Sequence, residues 1–65
     1  MTDMKLSENS RFECWLTGGA GRWRWFIFER GAGLLAEGRR ARTAHVARAD
    51  AIRAWRRLGC WRARR

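Results

Sequence analysis

The chain has 65 residues, of which 46% are hydrophobic and 32% are charged, and its net charge at pH 7 is +9. This length admits one small domain and excludes a second domain or a scaffold of several βαβ units. No run of 18 apolar residues occurs and residues 1–10 are polar, so we expect a cytoplasmic protein without a transmembrane helix or signal peptide.

In chain order, residues 1–10 have no hydrophobic periodicity and are predicted to be a flexible leader. Residues 11–17 alternate between apolar and other side chains, which is typical of a β-strand. Three glycines among residues 18–21 predict a turn. Residues 22–30 are rich in aromatic side chains and predict a second strand.

The register of this hairpin follows from its hydrophobic pattern. A four-residue turn would pair Thr17 with Arg22 and collect the apolar side chains on one face. That face is predicted to form the core and comprises Phe12, Cys14, Leu16, Trp23, Trp25 and Ile27. The opposite, uncovered face would present Trp15, Arg22, Arg24, Phe26, Phe28 and Arg30.

A weaker third strand is predicted over residues 34–42, after a second glycine-rich turn. A two-residue turn at Gly31-Ala32 would place the small residues Ala36 and Gly38 beneath large side chains of the second strand. The same register puts Leu35 beside Phe28 and Arg39 beside Arg24 on the uncovered face.

Thr43 is predicted to cap a helix that covers residues 44–58, a segment rich in Ala and Arg. Gly59 is predicted to end this helix, and residues 60–65 to form a basic tail in which Trp61 folds back onto the core. The stripe of the helix that would face the sheet comprises Ala44, Ala47, Ala51, Ile52, Trp55 and Leu58.

These elements predict an α+β fold, in which a three-stranded antiparallel sheet carries one C-terminal helix on one face (βββα). The folded domain would span residues 11–59. Its core is small, so we expect marginal stability, to which dimerisation or partner binding could add.

The positive charge is concentrated in residues 39–65, which contain ten Arg and one Asp. Arginine presents a planar, five-donor fork that suits phosphate oxygens. Clusters of this kind favour a DNA or RNA partner. The residues predicted to bind nucleic acid are Arg22, Arg24, Arg39, Arg40, Arg42, Arg53, Arg56, Arg57 and Arg62.

The aromatic side chains of the uncovered face allow three interpretations. They could stack nucleic-acid bases, since they alternate with arginines. Trp15 could instead form a cation–π pair with Arg24. Alternatively, Trp15, Phe26, Phe28 and Leu35 would form an apolar partner interface, including one between two copies of this chain.

Residues for catalysis or metal binding are scarce. The one histidine, His45, is predicted to lie on the helix surface, and no pair of carboxylates stands at helical spacing. Cys14 and Cys60 occur without a CxxC motif, so we expect no metal site and no cofactor. The alternative is a disulfide between them, but nothing marks the chain as secreted, so we expect reduced thiols. The turn at residues 18–21 lacks the Lys-Ser/Thr of a phosphate-binding loop. We therefore predict a protein that is not an enzyme.

Three features carry a family resemblance: the segment Arg22-Trp23-Arg24-Trp25, the step Gly33-Leu34-Leu35-Ala36 and the helix that begins at Thr43. Over residues 11–58, their order resembles the sheet modules of AP2-type plant factors and integrase arm-binding domains, and small uncharacterised bacterial βββα proteins. The AP2-type resemblance implies that an exposed sheet enters the major groove of DNA, through Arg22, Arg24 and Trp15.

Two functions remain open from the sequence. The first is a small nucleic-acid-binding module that contacts phosphates through arginines. The second is an inhibitor or adaptor that binds an acidic protein or a nucleoprotein complex and blocks its nucleic-acid channel. Size and charge resemble those of small phage-encoded proteins, including anti-CRISPR inhibitors.

Overall fold

A computed structural model describes the backbone of residues 2–63 and the side chains of residues 2–58. The fold is α+β, with an antiparallel sheet and one C-terminal helix, as predicted. The sheet has four strands in the order β1-β2-β3-β4, so the prediction of three strands was wrong. The elements are β1 (Thr2–Glu8), β2 (Phe12–Gly19), β3 (Arg22–Glu29), β4 (Gly33–Glu37) and α1 (Ala44–Ala63).

Strand β1 lies in the segment that the sequence assigned to a flexible leader. It pairs with β2, and a β-bulge interrupts the pairing between Lys5 and Ser7. Leu6, at this bulge, packs against the hydrophobic core. The turn after β1 is closed by the Asn9 side chain, whose Oδ1 accepts hydrogen bonds from the backbone N–H groups of Arg11 (2.8 Å) and Phe12 (2.7 Å).

The first hairpin closes through the two residues Ala20 and Gly21, because Gly19 pairs directly with Arg22. Both turn residues have positive φ angles, 48° and 76°, as a type I′ turn requires. The predicted four-residue turn is therefore wrong. Each residue of β2 pairs with a β3 residue two positions further along the chain than the predicted register gave. Leu16, for example, pairs with Trp25. Because side chains alternate with a period of two, this shift leaves each residue on its predicted face.

The hydrophobic core lies between the sheet and α1, which packs on β2 and β3. Phe12, Cys14, Leu16 and Ile27 are at most 3% exposed. Ala47 and Ala51 of α1 are fully buried against the sheet. Their small side chains let the helix lie close to the sheet. The partly buried residues that pack around this core are Leu6, Trp25, Ala36, Ala54, Trp55 and Leu58.

The second hairpin contains a β-bulge that changes which leucine faces outward. Ile27 pairs with Ala36, as predicted, but the register shifts between Ile27 and Phe28, so that Phe28 pairs with Leu34. Leu34 therefore takes the outer position that the sequence assigned to Leu35. Strand β4 ends at Glu37, and residues 38–43 form a linker to the helix.

Helix α1 begins as predicted, since the Oγ1 atom of Thr43 accepts a hydrogen bond from the N–H of Val46 at 3.2 Å. It continues through Gly59 to Ala63, so the predicted end at Gly59 is wrong. Of the predicted basic tail, the side chains of residues 60–63 and all of residues 64–65 lie outside the described part of the chain, Trp61 included. Among the described residues, no helix has the length and apolarity needed to span a membrane.

Candidate nucleic-acid interface

The acidic side chains of the chain are all engaged by hydrogen bonds or ion pairs. Five of the six lie in the strands, where four of them form ion pairs with Arg or Lys and Asp3 accepts a hydrogen bond from Thr17. Arg30, for example, bridges Glu8 at 2.6 Å and Glu13 at 3.1 Å. The carboxylates and their principal partners are Asp3–Thr17, Glu8–Arg30, Glu13–Arg30, Glu29–Arg11, Glu37–Arg24 and Asp50–Arg53.

In contrast to the arginines that pair with these carboxylates, seven other arginines form no ion pair within the described residues. All seven are exposed, and all but one lie in the linker or on α1. They are Arg22, Arg39, Arg40, Arg42, Arg48, Arg56 and Arg57. The charges of the sheet are thus largely compensated, whereas within the described residues the linker has no acidic residue and the helix has only Asp50, which pairs with Arg53.

The sheet face turned away from α1, here called the outer face, carries an aromatic cluster at its centre. Trp15 pairs with Phe26, and the rings of Phe26 and Phe28 have centroids 6.1 Å apart at an angle of 27°. The cluster of Trp15, Phe26 and Phe28, here called the aromatic trough, lines an open cavity of about 250 Å³ together with Asp3 and Thr17.

Cations flank the aromatic trough on both sides. The Lys5 ammonium lies 5.4 Å from the centroid of the Trp15 ring, and the Arg24 guanidinium lies 5.5 Å from that of Phe26. The sequence suggested a cation–π pair between Trp15 and Arg24 instead. That pairing depended on the four-residue turn, whereas the two-residue turn places Trp15 opposite Phe26.

Three predicted arginines meet at the end of the outer face near the first hairpin turn. Arg22, Arg24 and Arg40 line a cavity of about 180 Å³ together with Thr17 and Gly18, here called the arginine pocket. Arg24 is paired with Glu37 at 2.5 Å, whereas no carboxylate of the described residues pairs with Arg22 or Arg40.

The linker brings Arg40 to this pocket. Ala41 forms an isolated β-bridge with Trp23, through backbone hydrogen bonds of 2.7 and 2.8 Å. Since side chains alternate along extended backbone, the residue before Ala41 projects to the outer face. The predicted register instead placed Arg39 beside Arg24. Sequence reasoning missed the Arg22–Arg40 neighbourhood because one extra linker residue separates this bridge from the ladder of β4.

The remaining predicted arginines lie elsewhere. Arg39 and Arg42 are exposed in the linker, and Arg53, on α1, is paired with Asp50. Arg56 and Arg57 follow one turn later, exposed and without an acidic partner among residues 2–58. The Arg62 side chain lies outside the described part of the chain.

Leu35 does not belong to the outer face. Together with Trp25, Ala54, Arg57 and Leu58, it lines a cavity of about 350 Å³ between β4 and α1. The β-bulge in β4 is the physical reason, because it turns Leu35 toward the helix and Leu34 outward.

Among the side chains of residues 2–58, those of Glu13 and Cys14 have a shifted pKa. The pKa of Glu13 is lowered by hydrogen bonds from the Trp15 indole and the Arg30 guanidinium, with a further contribution from the positive charge of Lys5. Burial raises the pKa of the Cys14 thiol, which is free of any disulfide. Within residues 2–58, no three side chains of His, Cys, Asp or Glu group in a way that could hold a metal ion.

The geometry combines exposed, uncompensated guanidiniums with an open aromatic surface. Guanidiniums bind phosphate oxygens, and aromatic rings stack on nucleobases or pack against apolar protein surfaces. Comparisons of the chain with protein-family models, with curated proteins and with solved structures found no match. The functional assignment therefore rests on the arrangement of these side chains.

Proposed function

We propose that this protein is a non-enzymatic nucleic-acid-binding module that contacts phosphates through its arginines. The observation that supports this function is the unequal use of charge. The carboxylates all have hydrogen-bond or ion-pair partners within the fold, whereas seven exposed arginines have no ion pair among the described residues. A phosphate backbone supplies the anions that the fold does not.

Salt dependence is the physical signature of this mode of binding. Each phosphate that is neutralised releases condensed counterions, so the logarithm of the affinity for duplex DNA falls with the logarithm of salt concentration, by about 0.9 per contact. Phosphate contacts carry no base information, so affinity would vary little with sequence.

The experiment compares two double variants that remove the same charge. Arg56→Gln/Arg57→Gln removes two arginines without acidic partners, whereas Arg11→Gln/Arg30→Gln removes two that are ion-paired. Fluorescence anisotropy on labelled duplex DNA, RNA and single strands at several salt concentrations gives the affinities and slopes.

We expect Arg56→Gln/Arg57→Gln to flatten the slope on duplex DNA by up to about two contacts, and the matched variant to flatten it less. Equal slopes for the two variants would mean that only net charge matters. A parent protein that binds no nucleic acid at about 150 mM salt would refute the proposed function.

The aromatic trough supports a second candidate, an inhibitor or adaptor that docks on an acidic protein or a nucleoprotein complex, as an anti-CRISPR-like protein would. Phe28 is 37% exposed and Leu34, beside it, is 51% exposed. Such a partner would depend on a few central aromatics, so Phe28→Ala would cost at least about 2 kcal/mol of binding energy. If the partner is a second copy of this chain, light scattering of the parent protein will give the mass of a homodimer.

A further inference from the structure

We propose that the outer face binds a single strand of nucleic acid, with a base stacked on the aromatic trough and a phosphate held in the arginine pocket. This inference extends the proposed function from phosphate contacts to base contacts, and it rests on that function. The ligand class is an unpaired nucleotide segment, because the bases of a duplex do not offer their faces for stacking.

The trough and the pocket form one continuous surface. Thr17 lines both cavities, since it lies beside the Trp15–Phe26 pair and directly opposite Arg24. A single strand of nucleic acid that runs along β3 from Phe28 toward Arg22 therefore passes from the aromatic rings to the guanidiniums without leaving the surface of the sheet.

The pocket has the chemistry of a phosphate site. Arg22 and Arg40 bring two guanidiniums that have no carboxylate partner in the described part of the chain, and the Arg24–Glu37 ion pair fixes a third at the pocket wall. Gly18 also lines the pocket, and no side chain fits at this position, because a Cβ atom there would lie 2.2 Å from the backbone oxygen of Arg22. The Thr17 hydroxyl already donates its hydrogen bond to the Asp3 carboxylate, so the arginines are the groups that would bind the phosphate.

The trough has the chemistry of a stacking platform. The Phe26 and Phe28 rings are offset from each other, and Phe28 is 37% exposed. The Lys5 ammonium lies over the Trp15 ring and the Arg24 guanidinium over the Phe26 ring, so we expect the base to stack on Phe28. Stacking on aromatic side chains tolerates any base, so we expect little sequence preference.

The same charges favour nucleic acid over a protein as the occupant. A protein that covered this face would bury Arg22 and Arg40, and each buried guanidinium would need an acidic partner from the opposing surface. A phosphodiester strand brings one negative charge with every nucleotide.

The test measures affinities for a single-stranded oligonucleotide and for the duplex of the same sequence, by fluorescence anisotropy at fixed salt. Arg22→Gln/Arg40→Gln removes the pocket charges, and Arg39→Gln/Arg48→Gln is the matched control, because it removes two exposed, unpaired arginines that do not line the pocket. Phe28→Leu tests the platform. Circular dichroism verifies that each variant is folded.

We expect Arg22→Gln/Arg40→Gln and Phe28→Leu each to weaken single-strand binding by about tenfold, and Phe28→Leu to leave duplex binding unchanged. The control variant should lower the affinity for the single strand and for the duplex by the same factor, and by less than tenfold. If the variants bind single strands as the control does, while the parent binds duplex DNA, this inference is wrong and the proposed function stands.

Two other results also overturn the inference. A parent protein that binds no nucleic acid in any form refutes the proposed function together with it. A dimeric parent that becomes monomeric on the Phe28→Leu change shows that a second copy of the chain occupies the outer face.

Discussion

The indole of Trp25 lies directly over the backbone of Gly38: an ideal Cβ atom at Gly38 would stand 1.8 Å from the Nε1 atom of Trp25. The two residues also share a backbone hydrogen bond, from the N–H of Gly38 to the carbonyl oxygen of Trp25, at 3.0 Å. A residue without a side chain is therefore needed where β4 gives way to the linker. This contact fixes the path that carries Arg40 to the arginine pocket.

The first prediction tests this contact. Gly38→Ala should destabilise the fold by about 1–3 kcal/mol, because the added methyl group displaces the indole from its packed position. Urea denaturation of the variant and the parent measures the difference. In a Trp25→Leu background the same substitution should cost much less, since the clashing ring is gone. An equal cost in both backgrounds would show that the indole is not the cause.

The second prediction concerns the turn of the first hairpin. Ala20 has a φ angle of 48°, a conformation that costs energy for a residue with a Cβ atom but suits Asn and Gly. Ala20→Asn should therefore raise the free energy of unfolding by about 0.5–1 kcal/mol. Gly21→Ala, at a φ angle of 76°, should lower it. Thermal denaturation of both variants measures these effects, and a loss of stability in Ala20→Asn would contradict a type I′ turn.

The third prediction is a pH dependence that involves Glu13. Its pKa in the folded state is lowered from the ordinary value of 4.5, mainly by the hydrogen bond from Trp15 and then by that from Arg30. The ionised form is thus favoured by folding. Its stabilising contribution is present above pH 4.5 and is lost as the pH falls through the lower, folded-state pKa.

The measurement is urea denaturation of the parent and of Glu13→Gln between about pH 3 and pH 7. The stability difference should be constant near neutral pH and should shrink below the ordinary pKa of a carboxyl group. Trp15→Phe keeps the ring but removes the indole donor, so it should reduce the same pH-dependent part. A stability difference that does not vary with pH would rule out the linkage.

The fourth prediction concerns the buried thiol. Cys14 is 1% exposed and its pKa is raised by burial, so its reactive thiolate form is scarce and inaccessible in the folded protein. Alkylation with iodoacetamide, followed by peptide mass mapping, should leave Cys14 unmodified under native conditions. In urea, Cys14 should react fully. Rapid native labelling at this position would indicate that the core opens readily.

The two faces of the central hairpin could be predicted because side-chain alternation survives a two-residue error in the turn. The turn length could not, because Gly18 and Gly19 resemble turn residues, although they continue β2 up to the Ala20-Gly21 turn. Strand β1 was missed because only Met4 and Leu6 among its seven residues are apolar, and a bulge takes Leu6 out of the pairing with β2.

The candidate site was predicted residue by residue but not as an arrangement. Composition and clustering indicate which arginines are available for phosphate, yet ion pairing decides which of them remain uncompensated. Arg24 and Arg53 acquire carboxylate partners that lie elsewhere in the sequence or one helical turn away. The exchange of Leu34 for Leu35 depends on a one-residue bulge, which no hydrophobic pattern in this short strand reveals.

Both edge strands of the sheet are bulged, β1 between Lys5 and Ser7 and β4 opposite the Ile27–Phe28 step. A bulge twists the strand and breaks the even spacing of its outward N–H and C=O groups. An incoming strand from another molecule would therefore find no uninterrupted ladder at either edge. The chain is small and its strands are rich in aromatic residues, so the two bulges should disfavour the edge-to-edge pairing by which fibrils grow.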